Sequence, residues 1–224
     1  MARQAGAMMK IFDISWPIST ATTGYKDRHI VEFTETRTFA KDGMRDSTMH
    51  LSAHTGTHVD SPAHFIKDGL TIDEIKLDRL VGPCIVIELM EVVDGITRDD
   101  LVDKNIKKGD IVLFKTVNSL TPATGKFTPH FVYLEASGAQ YLAEKGIKAV
   151  GIDYLGIERN QPDHLTHTTL MHADIVIVEG LRLEFIAPGA YTFVCLPLNI
   201  IGLEAAPARA ILVQAMLEVD VEFI

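Results

Sequence analysis

Apolar residues fall in short runs along this chain, separated by polar stretches that contain glycine or proline. Short apolar runs rich in valine and isoleucine are typical of buried strands, and strict alternation indicates a strand with one solvent-facing side. Residues 31–39 alternate in this way, whereas residues 19–29 have the composition of a surface loop. The pattern predicts strands at residues 10–15, 31–39, 46–53, 83–90, 109–116, 149–153, 175–181, 191–197 and 209–216.

Three segments carry the clearest helix signals, and the mixed stretch at residues 72–80 has room for a further short helix. Residues 134–145 have helical spacing, and Gly146 is well placed to end that helix. Thr97, followed by acidic residues, predicts the start of a short helix. Residues 163–174 also look helical, with Asp163 as the predicted N-cap.

The mixture of elements indicates the class of fold. Many strands and about three helices, with no internal repeat and no linker, predict one domain over residues 1–224. We expect an α/β (α+β) fold with layers of sheet and with helices outside them. The apolar content of 47% in 224 residues favours a globular core over disorder.

Charge and segment length exclude several kinds of partner. The net charge is −9 and no basic stripe occurs, so we expect no nucleic-acid partner. The first ten residues lack the apolar core of a signal peptide, and no run reaches the ~18 apolar residues of a membrane span. We therefore expect a cytoplasmic protein without a membrane partner. Cys84 and Cys195 lie in separate apolar runs and are interpreted as reduced core thiols.

Three histidines and one carboxylate lie within residues 54–64. His54 and His58 are four residues apart, Asp60 follows two residues later, and another histidine lies four residues after that. Side chains alternate along a strand, so His58 and Asp60 share one face if the segment is extended. Gly56 allows the backbone to turn before them. Imidazole and carboxylate ligands together suit a divalent ion such as zinc or manganese.

A second group of candidate ligands lies further along the chain. His164, His167 and His172 fall in the predicted helix, and Glu179 is the one acid in the apolar strand that follows. A lone carboxylate in such a run is costly to bury unless it is paired or bound to a metal. We therefore interpret Glu179 as a candidate ligand. His50 is interpreted as structural, because the first cluster already supplies enough ligands.

Residues 54–64 read His-Thr-Gly-Thr-His-Val-Asp-Ser-Pro-Ala-His and resemble the HxGTHxDxPxH signature of the cyclase family. That family includes bacterial kynurenine formamidases and isatin hydrolases. Residues 13–15, 109–116, 146–153 and 197–209 are also similar to family segments, so the resemblance covers almost the whole chain. It implies a swivelling β/β/α architecture, usually assembled as a homodimer or homotetramer. Spacing and periodicity alone do not reveal that architecture.

Carried over residue by residue, the resemblance implies the ligands of one or two divalent ions. The first ion is held by His54, His58 and Asp60, and Asp60 bridges to the second. The second ion also takes His167 and Glu179, which have the twelve-residue separation of the kynurenine formamidase pattern. Zinc is the ion expected from these ligand types, and manganese is permitted by the same ligands.

The remaining histidines receive other roles from the resemblance. His64 matches the family's catalytic histidine, which is not a principal ligand. His164 and His172 lack the required separation from Glu179, so they rank behind His167. Relatives of the isatin hydrolase type are associated with manganese and with a site for a single ion.

Two segments depart from the family pattern. The family often has Pro-Gly-Asp after an aromatic residue where this chain reads Thr-Gly-Tyr-Lys-Asp-Arg at residues 23–28. We expect substrate contacts in this loop, so the change argues against a substrate derived from kynurenine itself. The family often has Gly-Gly-Asp where this chain has Gly-Leu-Glu at residues 202–204. We expect this second change to lie away from the ligands.

The resemblance implies a metal-dependent hydrolase that acts on a small-molecule amide. The nearest activity is that of an arylformamidase, which converts N-formylkynurenine to kynurenine and formate, with His64 taking and returning a proton. One alternative is ring opening of an isatin-like lactam in the same site. Another is a metal-binding protein without catalysis on the same scaffold. A cysteine-based hydrolase is disfavoured, because Cys84 and Cys195 have no base or cation nearby in sequence.

Overall fold

A computed structural model describes residues 8–28 and 31–216. Its strands are β1 (Met8–Asp13), β2 (Val31–Arg37), β3 (Asp46–Leu51), β4 (His58–Asp60), β5 (Val81–Glu88), β6 (Gly95–Ile96), β7 (Ile111–Lys115), β8 (Tyr133–Leu134), β9 (Ala149–Ile152), β10 (Val176–Glu179), β11 (Gly189–Pro197) and β12 (Ala205–Met216). Its α-helices are α1 (Phe39–Asp42), α2 (Arg98–Leu101), α3 (Ala136–Lys145) and α4 (Leu165–His172).

The main sheet closes on itself. Its strands follow the order β1-β12-β11-β5-β7-β9-β10-β4, and β4 also pairs with β12. The extra pairing makes a barrel-like ring of seven strands, with β1 outside the ring against β12. β5, β7, β9 and β10 run parallel, and parallel neighbours need crossover connections, which α3 and α4 help to supply. The predicted mixed α/β class is therefore confirmed.

The strands of the ring have apolar side chains on both faces. On β7, Val112 and Phe114 pack in the cluster that also contains Leu142 of α3 and Leu170 of α4. Leu113 points the other way, into a second cluster formed largely by strand residues. Burial of both faces explains why these strands read as nearly continuous apolar runs.

Two predicted helix signals are confirmed. The Thr97 N–H and hydroxyl both donate to Oδ2 of Asp100, at 2.7 and 2.6 Å, and this capping box opens α2. Gly146 has a φ of 66°, and its N–H reaches the carbonyls of Leu142 and Ala143 at the end of α3. A left-handed φ costs glycine little, so the helix ends there.

The prediction for residues 31–39 is wrong in one respect. A strand forms there, but Val31 is its only buried residue, and no residue of β3 is buried. β2 and β3 pair with each other in a separate two-stranded sheet. The alternation of apolar residues in this hairpin therefore does not mark a face that packs on the core.

The start of α4 also differs from the prediction. Asp163 and His164 have φ angles of 54° and 49°, and a 3₁₀ turn over residues 162–164 comes before the helix. His164 is therefore the N-cap residue, Asp163 is not, and the helix begins at Leu165. The two left-handed residues interrupt the right-handed helical backbone, which separates the turn from the helix.

The remaining expectations concern the two cysteines, a membrane-spanning helix, the number of domains and the assembly. Cys84 and Cys195 are both buried and unpaired, and burial raises the pKa of each thiol to about 12. Within the described residues, no helix has the length and apolar content needed to cross a membrane. A single domain over residues 1–224 and a homodimeric or homotetrameric assembly stay predictions.

Candidate metal centre

Residues 54–64 join the ring through β4, and all three residues of β4 are buried. β4 pairs with β10 on one side and with β12 on the other, and His58 lies directly opposite Glu179. His54 comes before β4, and His64 follows it at the end of a 3₁₀ turn. The closure of the ring therefore brings the two candidate ligand groups of the sequence together.

Two glycines allow the end of β10 to approach this segment closely. Gly56 has a φ of 62°, which confirms the predicted turn before His58. Gly180 has a φ of 72°, and a Cβ atom there would lie 2.4 Å from the carbonyl oxygen of Gly56. The Thr57 hydroxyl also donates to the Gly180 carbonyl at 2.5 Å. Only glycine fits this approach, which sets the position of the neighbouring Glu179.

Asp60 occupies the middle of the site and is 2% exposed. Its Oδ1 lies 3.0 Å from Nδ1 of His54 and 3.5 Å from Nε2 of His58. Its Oδ2 lies 3.7 Å from Nε2 of His167. Neither oxygen has a hydrogen-bond partner among the described residues. Buried carboxylate oxygens are normally satisfied, so this arrangement indicates that a cation belongs between them.

Glu179 faces the same space from β10 and is also buried. Its Oε2 lies 3.3 Å from Nε2 of His58, and its Oε1 lies 3.5 Å from Nε2 of His167. Oε1 also accepts the backbone N–H of Ile157 at 2.6 Å. That hydrogen bond holds the carboxylate in place while its other oxygen remains directed at His58.

Groups beside the outer nitrogens hold the two buried histidine rings. Nδ1 of His58 lies 2.9 Å from the Gly56 carbonyl, so this nitrogen carries the proton in the neutral ring. Nδ1 of His167 lies 3.0 Å from Oε2 of Glu158 as an ion-pair contact, and the same oxygen accepts the backbone N–H of His167 at 3.2 Å. In both rings Nε2 faces the carboxylates, and this is the nitrogen that would bind a metal.

Glu158 is a residue of the site that sequence reasoning missed. It is 6% exposed, and it also lies 2.5 Å, through Oε1, from Nδ1 of His164. The available signal was an acid directly after the apolar stretch at residues 155–157. The same reasoning that selected Glu179 would have selected this residue.

Burial and neighbouring charges act in opposite directions on the pKa values of the centre. Burial alone lowers the pKa of His58, but Glu179 and Asp60 raise it to about 9. Burial likewise lowers the pKa of His167, but Asp60, Glu158 and Glu179 raise it well above the ordinary value. Without a metal, these protons balance the carboxylates. A divalent ion would take their place.

The two central carboxyl groups show the reverse pattern. Burial raises the pKa of Asp60, but His167 and His54 hold it well below its ordinary value. Burial and the Asp60 charge raise the pKa of Glu179, but His167 and His58 lower it to about 2. Both acids are therefore ionised at neutral pH, as metal ligands must be.

The donor atoms fit the spacing that a divalent ion requires. Ligands about 2.0–2.2 Å from a tetrahedral ion lie ~3.3–3.6 Å from one another. The distances between the histidine nitrogens and the carboxylate oxygens, 3.0 to 3.7 Å, bracket that range. Asp60 contributes to both ends of the group, because Oδ1 faces His54 and His58 while Oδ2 faces His167.

His64 lies at the edge of this centre rather than apart from it. Its ring centroid is 4.4 Å from that of His54 and 5.9 Å from that of His167, and Phe65 packs against it at 4.1 Å. Burial lowers its pKa, so the ring is neutral at pH 7. With His54 and Asp60 it forms a set of three possible ligands, so the geometry accommodates both a ligand and an acid–base role.

Three further histidines considered in the sequence, His50, His164 and His172, are not part of the group around Asp60. His50 is exposed, 3.9 Å from Glu32 on the hairpin. His172 is exposed at the far end of α4 and belongs to no set of possible ligands among the described residues. His164 does belong to one, with Glu158 and His167. The structure therefore groups His54, His58, Asp60, His64, His167 and Glu179.

The expectation that residues 202–204 lie away from the ligands is wrong. Oε1 of Glu204 is 3.4 Å from Nε2 of His54. The backbone N–H and the hydroxyl of Ser61 both donate to the Glu204 carbonyl, each at 2.9 Å. Glu204 directly precedes β12, which pairs with β4, and this pairing brings the segment to the rim of the centre.

A cavity of about 630 Å³ opens onto the centre. Its walls include the loop at residues 22–28, the Phe65 ring and the segment at residues 155–164, together with His54, His64 and His167. A cavity of this size, with several converging polar groups beside apolar rings, is typical of a small-molecule site.

The sequence matches the family model described as "Putative cyclase" over residues 12–159. The chain belongs to the cyclase family. A curated relative, the kynurenine formamidase of Salinibacter ruber, is 32% identical over 210 residues, which cover 92% of this chain and 99% of that protein. The residues that carry the resemblance therefore lie within a similarity that extends over nearly the whole chain.

Solved structures share the fold. A structure described as a predicted metal-dependent hydrolase from Bacillus stearothermophilus is 42% identical and has a TM-score of 0.83, covering 92% of this chain and 99% of that one. Isatin hydrolase A from Labrenzia aggregata is 20% identical with a TM-score of 0.77, covering 93% and 94% of the two chains, and shows the shared fold. Family membership and the buried His/Asp/Glu group together make this chain a hydrolase that uses a divalent metal.

Proposed function

We propose that this protein hydrolyses a small amide, most like an arylformamidase that converts N-formylkynurenine to kynurenine and formate. One observation carries the proposal: Asp60 is buried, both its oxygens lack a hydrogen-bond partner among the described residues, and imidazole nitrogens surround it at 3.0 to 3.7 Å. Such a centre fits a divalent ion beside a cavity large enough for an aromatic amide.

Zinc is the ion we propose, because imidazole nitrogen and carboxylate oxygen are its usual ligands in hydrolases. His54, His58 and Asp60 would hold one ion, and His167, Glu179 and the second oxygen of Asp60 would hold another. A divalent ion in such a site polarises a carbonyl group and lowers the pKa of water. Manganese is the other ion that this donor set accepts.

His64 is the residue we propose for proton transfer. It is half-buried at the mouth of the centre, and its lowered pKa keeps the ring neutral and able to accept a proton at pH 7. In the reaction, the water oxygen bonds to the carbonyl carbon, the C–N bond breaks, and the amine nitrogen takes a proton. His64 would receive the proton of the water and return it to the leaving nitrogen.

The test is to assay N-formylkynurenine and isatin side by side, before and after chelation and after zinc is restored. Hydrolysis of N-formylkynurenine that is lost with the chelator and regained with zinc would support the proposal. Ring opening of isatin alone would support lactam hydrolysis in the same site instead. Bound metal without turnover of any amide would leave a non-catalytic metal-binding protein.

A further inference from the structure

The loop at residues 22–28 brings two cations to the wall of the cavity, Lys26 and Arg28. No ion pair among the described residues involves either side chain, within a limit of 4.0 Å. Nζ of Lys26 instead lies 5.3 Å from the centroid of the Tyr25 ring. Many lysines and arginines of the described residues form no ion pair, but Lys26 and Arg28 are the ones that line the cavity beside the metal centre.

The loop that carries them is held in a defined position. Oδ1 of Asp27, the acid between the two cations, accepts the backbone N–H of Phe127 at 2.8 Å. Tyr25 packs edge-on against the Phe127 ring, with centroids 4.9 Å apart. Lys26 and Asp27 have left-handed φ angles of 53° and 58°, which L-residues rarely adopt. Such conformations persist where the surroundings enforce them, and they cluster at ligand sites.

The acids of the cavity are committed to the metal centre. Glu158 lies against His164 and His167, at 2.5 and 3.0 Å, and Glu179 faces His58 at 3.3 Å. The walls of the cavity therefore carry both kinds of charge, with carboxylates and histidines at the metal centre and cations on the loop. The loop is thus one of the walls that the part of a substrate beyond its amide can meet.

On the basis of the proposed function, we propose that Lys26 and Arg28 select amide substrates that carry a carboxylate group. The phenyl and phenol rings of Phe65 and Tyr25 also line the cavity, so an aromatic formamide with a ring carboxylate fits its chemistry. Arginine binds a carboxylate through paired N–H groups, and lysine adds a second positive charge. A neutral amide would gain nothing from either side chain.

The test compares 2-formamidobenzoate with formanilide, the same aromatic formamide with and without a carboxylate. We expect the zinc-loaded protein to have the larger kcat/KM for 2-formamidobenzoate. Lys26→Met and Arg28→Met should each lower the ratio of the two kcat/KM values by roughly 3- to 30-fold, mainly through KM. Lys41→Met, which removes the same charge from α1, should leave the ratio unchanged. Equal ratios in all four proteins would overturn the inference.

A binding measurement separates failure of this inference from failure of the proposed function. Fluorescence titration with 2-aminobenzoate uses chelator-treated protein, so that coordination to a metal does not contribute. If neither these two formamides nor N-formylkynurenine is hydrolysed, the proposed function falls, and the titration decides the inference. Weaker binding to the Lys26→Met and Arg28→Met variants than to Lys41→Met supports it. Equal binding to all variants overturns it.

Discussion

At the scale of single residues, the metal centre depends on where each proton lies. Glu179 and Asp60 raise the pKa of His58 to about 9, so without metal this ring is protonated at neutral pH. The Gly56 carbonyl retains the proton on Nδ1, and a metal ion must displace the one on Nε2. Metal binding should therefore release protons.

This proton release predicts a pH dependence of zinc affinity. The neutral form of His58 becomes more populated as the pH rises toward about 9, so affinity should rise by up to about tenfold per pH unit for each proton released and level off above that pH. Competition with a chelator of known affinity, at a series of pH values, measures the slope. An affinity independent of pH between neutrality and about pH 9 would contradict the assignment of His58 as a ligand.

Glu158 is predicted to act on the metal through His167. Glu158→Gln keeps the size of the side chain but removes the negative charge that lies 3.0 Å from Nδ1 of His167. We expect the zinc affinity to fall by roughly 10- to 100-fold, as is usual when a group that orients a ligand histidine is changed. Glu184→Gln, at an exposed position, is the matched control. Equal zinc affinity in the two variants would remove this role.

At the scale of elements, the contact between the end of β10 and the turn before β4 assembles the centre. Gly180→Ala would place a Cβ atom 2.4 Å from the Gly56 oxygen, at a left-handed φ of 72°. Gly43→Ala meets the same kind of φ, 69°, but its Cβ has no atom within 4 Å. The two variants therefore separate the cost of the backbone conformation from that of the close approach.

We expect Gly43→Ala to lower the free energy of unfolding by about 1–2 kcal/mol, the cost of a left-handed alanine. Gly180→Ala should cost at least about 3 kcal/mol and should also weaken zinc binding, because the backbone shift moves Glu179. Thermal unfolding and zinc titration of both variants provide the measurements. Equal stability of the two proteins would show that the close approach does not hold the centre together.

Several elements could be predicted because their local pattern matches their burial. The apolar run that forms β7 is buried on both faces, and the helix that ends at Gly146 carries its own stop signal. β4 is different, since it has three residues, two of them polar, and becomes a strand through pairing on both sides. The closure of the ring is a long-range event that leaves no local periodicity in the sequence.

Within the site, too, some residues carry a local sequence signal and others depend on long-range folding. Residues 54–64 could be identified from their spacing, and Glu179 from its isolation in an apolar strand. Glu158 was within reach of the reasoning that selected Glu179. Glu204 could not be placed, because its proximity to His54 depends on how distant segments fold together. The assignment of His64 to catalysis stays a prediction, since the geometry also allows it to bind metal.

At the scale of the whole molecule, the fold places a carboxylate-rich metal centre and a cation-bearing loop at one cavity of an acidic protein. The ring supplies the centre from β4 and β10, α4 adds His167, and the loop at residues 22–28 lies outside the ring strands. Chemistry and selectivity are thereby assigned to different parts of the chain, so each can be altered separately.

The most direct test is metal analysis by mass spectrometry of the wild type, His58→Ala and His64→Ala, with hydrolysis of N-formylkynurenine followed on the same samples. We predict about two zinc ions per chain in the wild type, since Asp60 faces two donor sets. His58→Ala should lose metal and activity together. His64→Ala should keep its metal while turnover falls roughly 10²–10⁴-fold. A wild type that binds no divalent metal, or equal metal loss in both variants, would contradict this account.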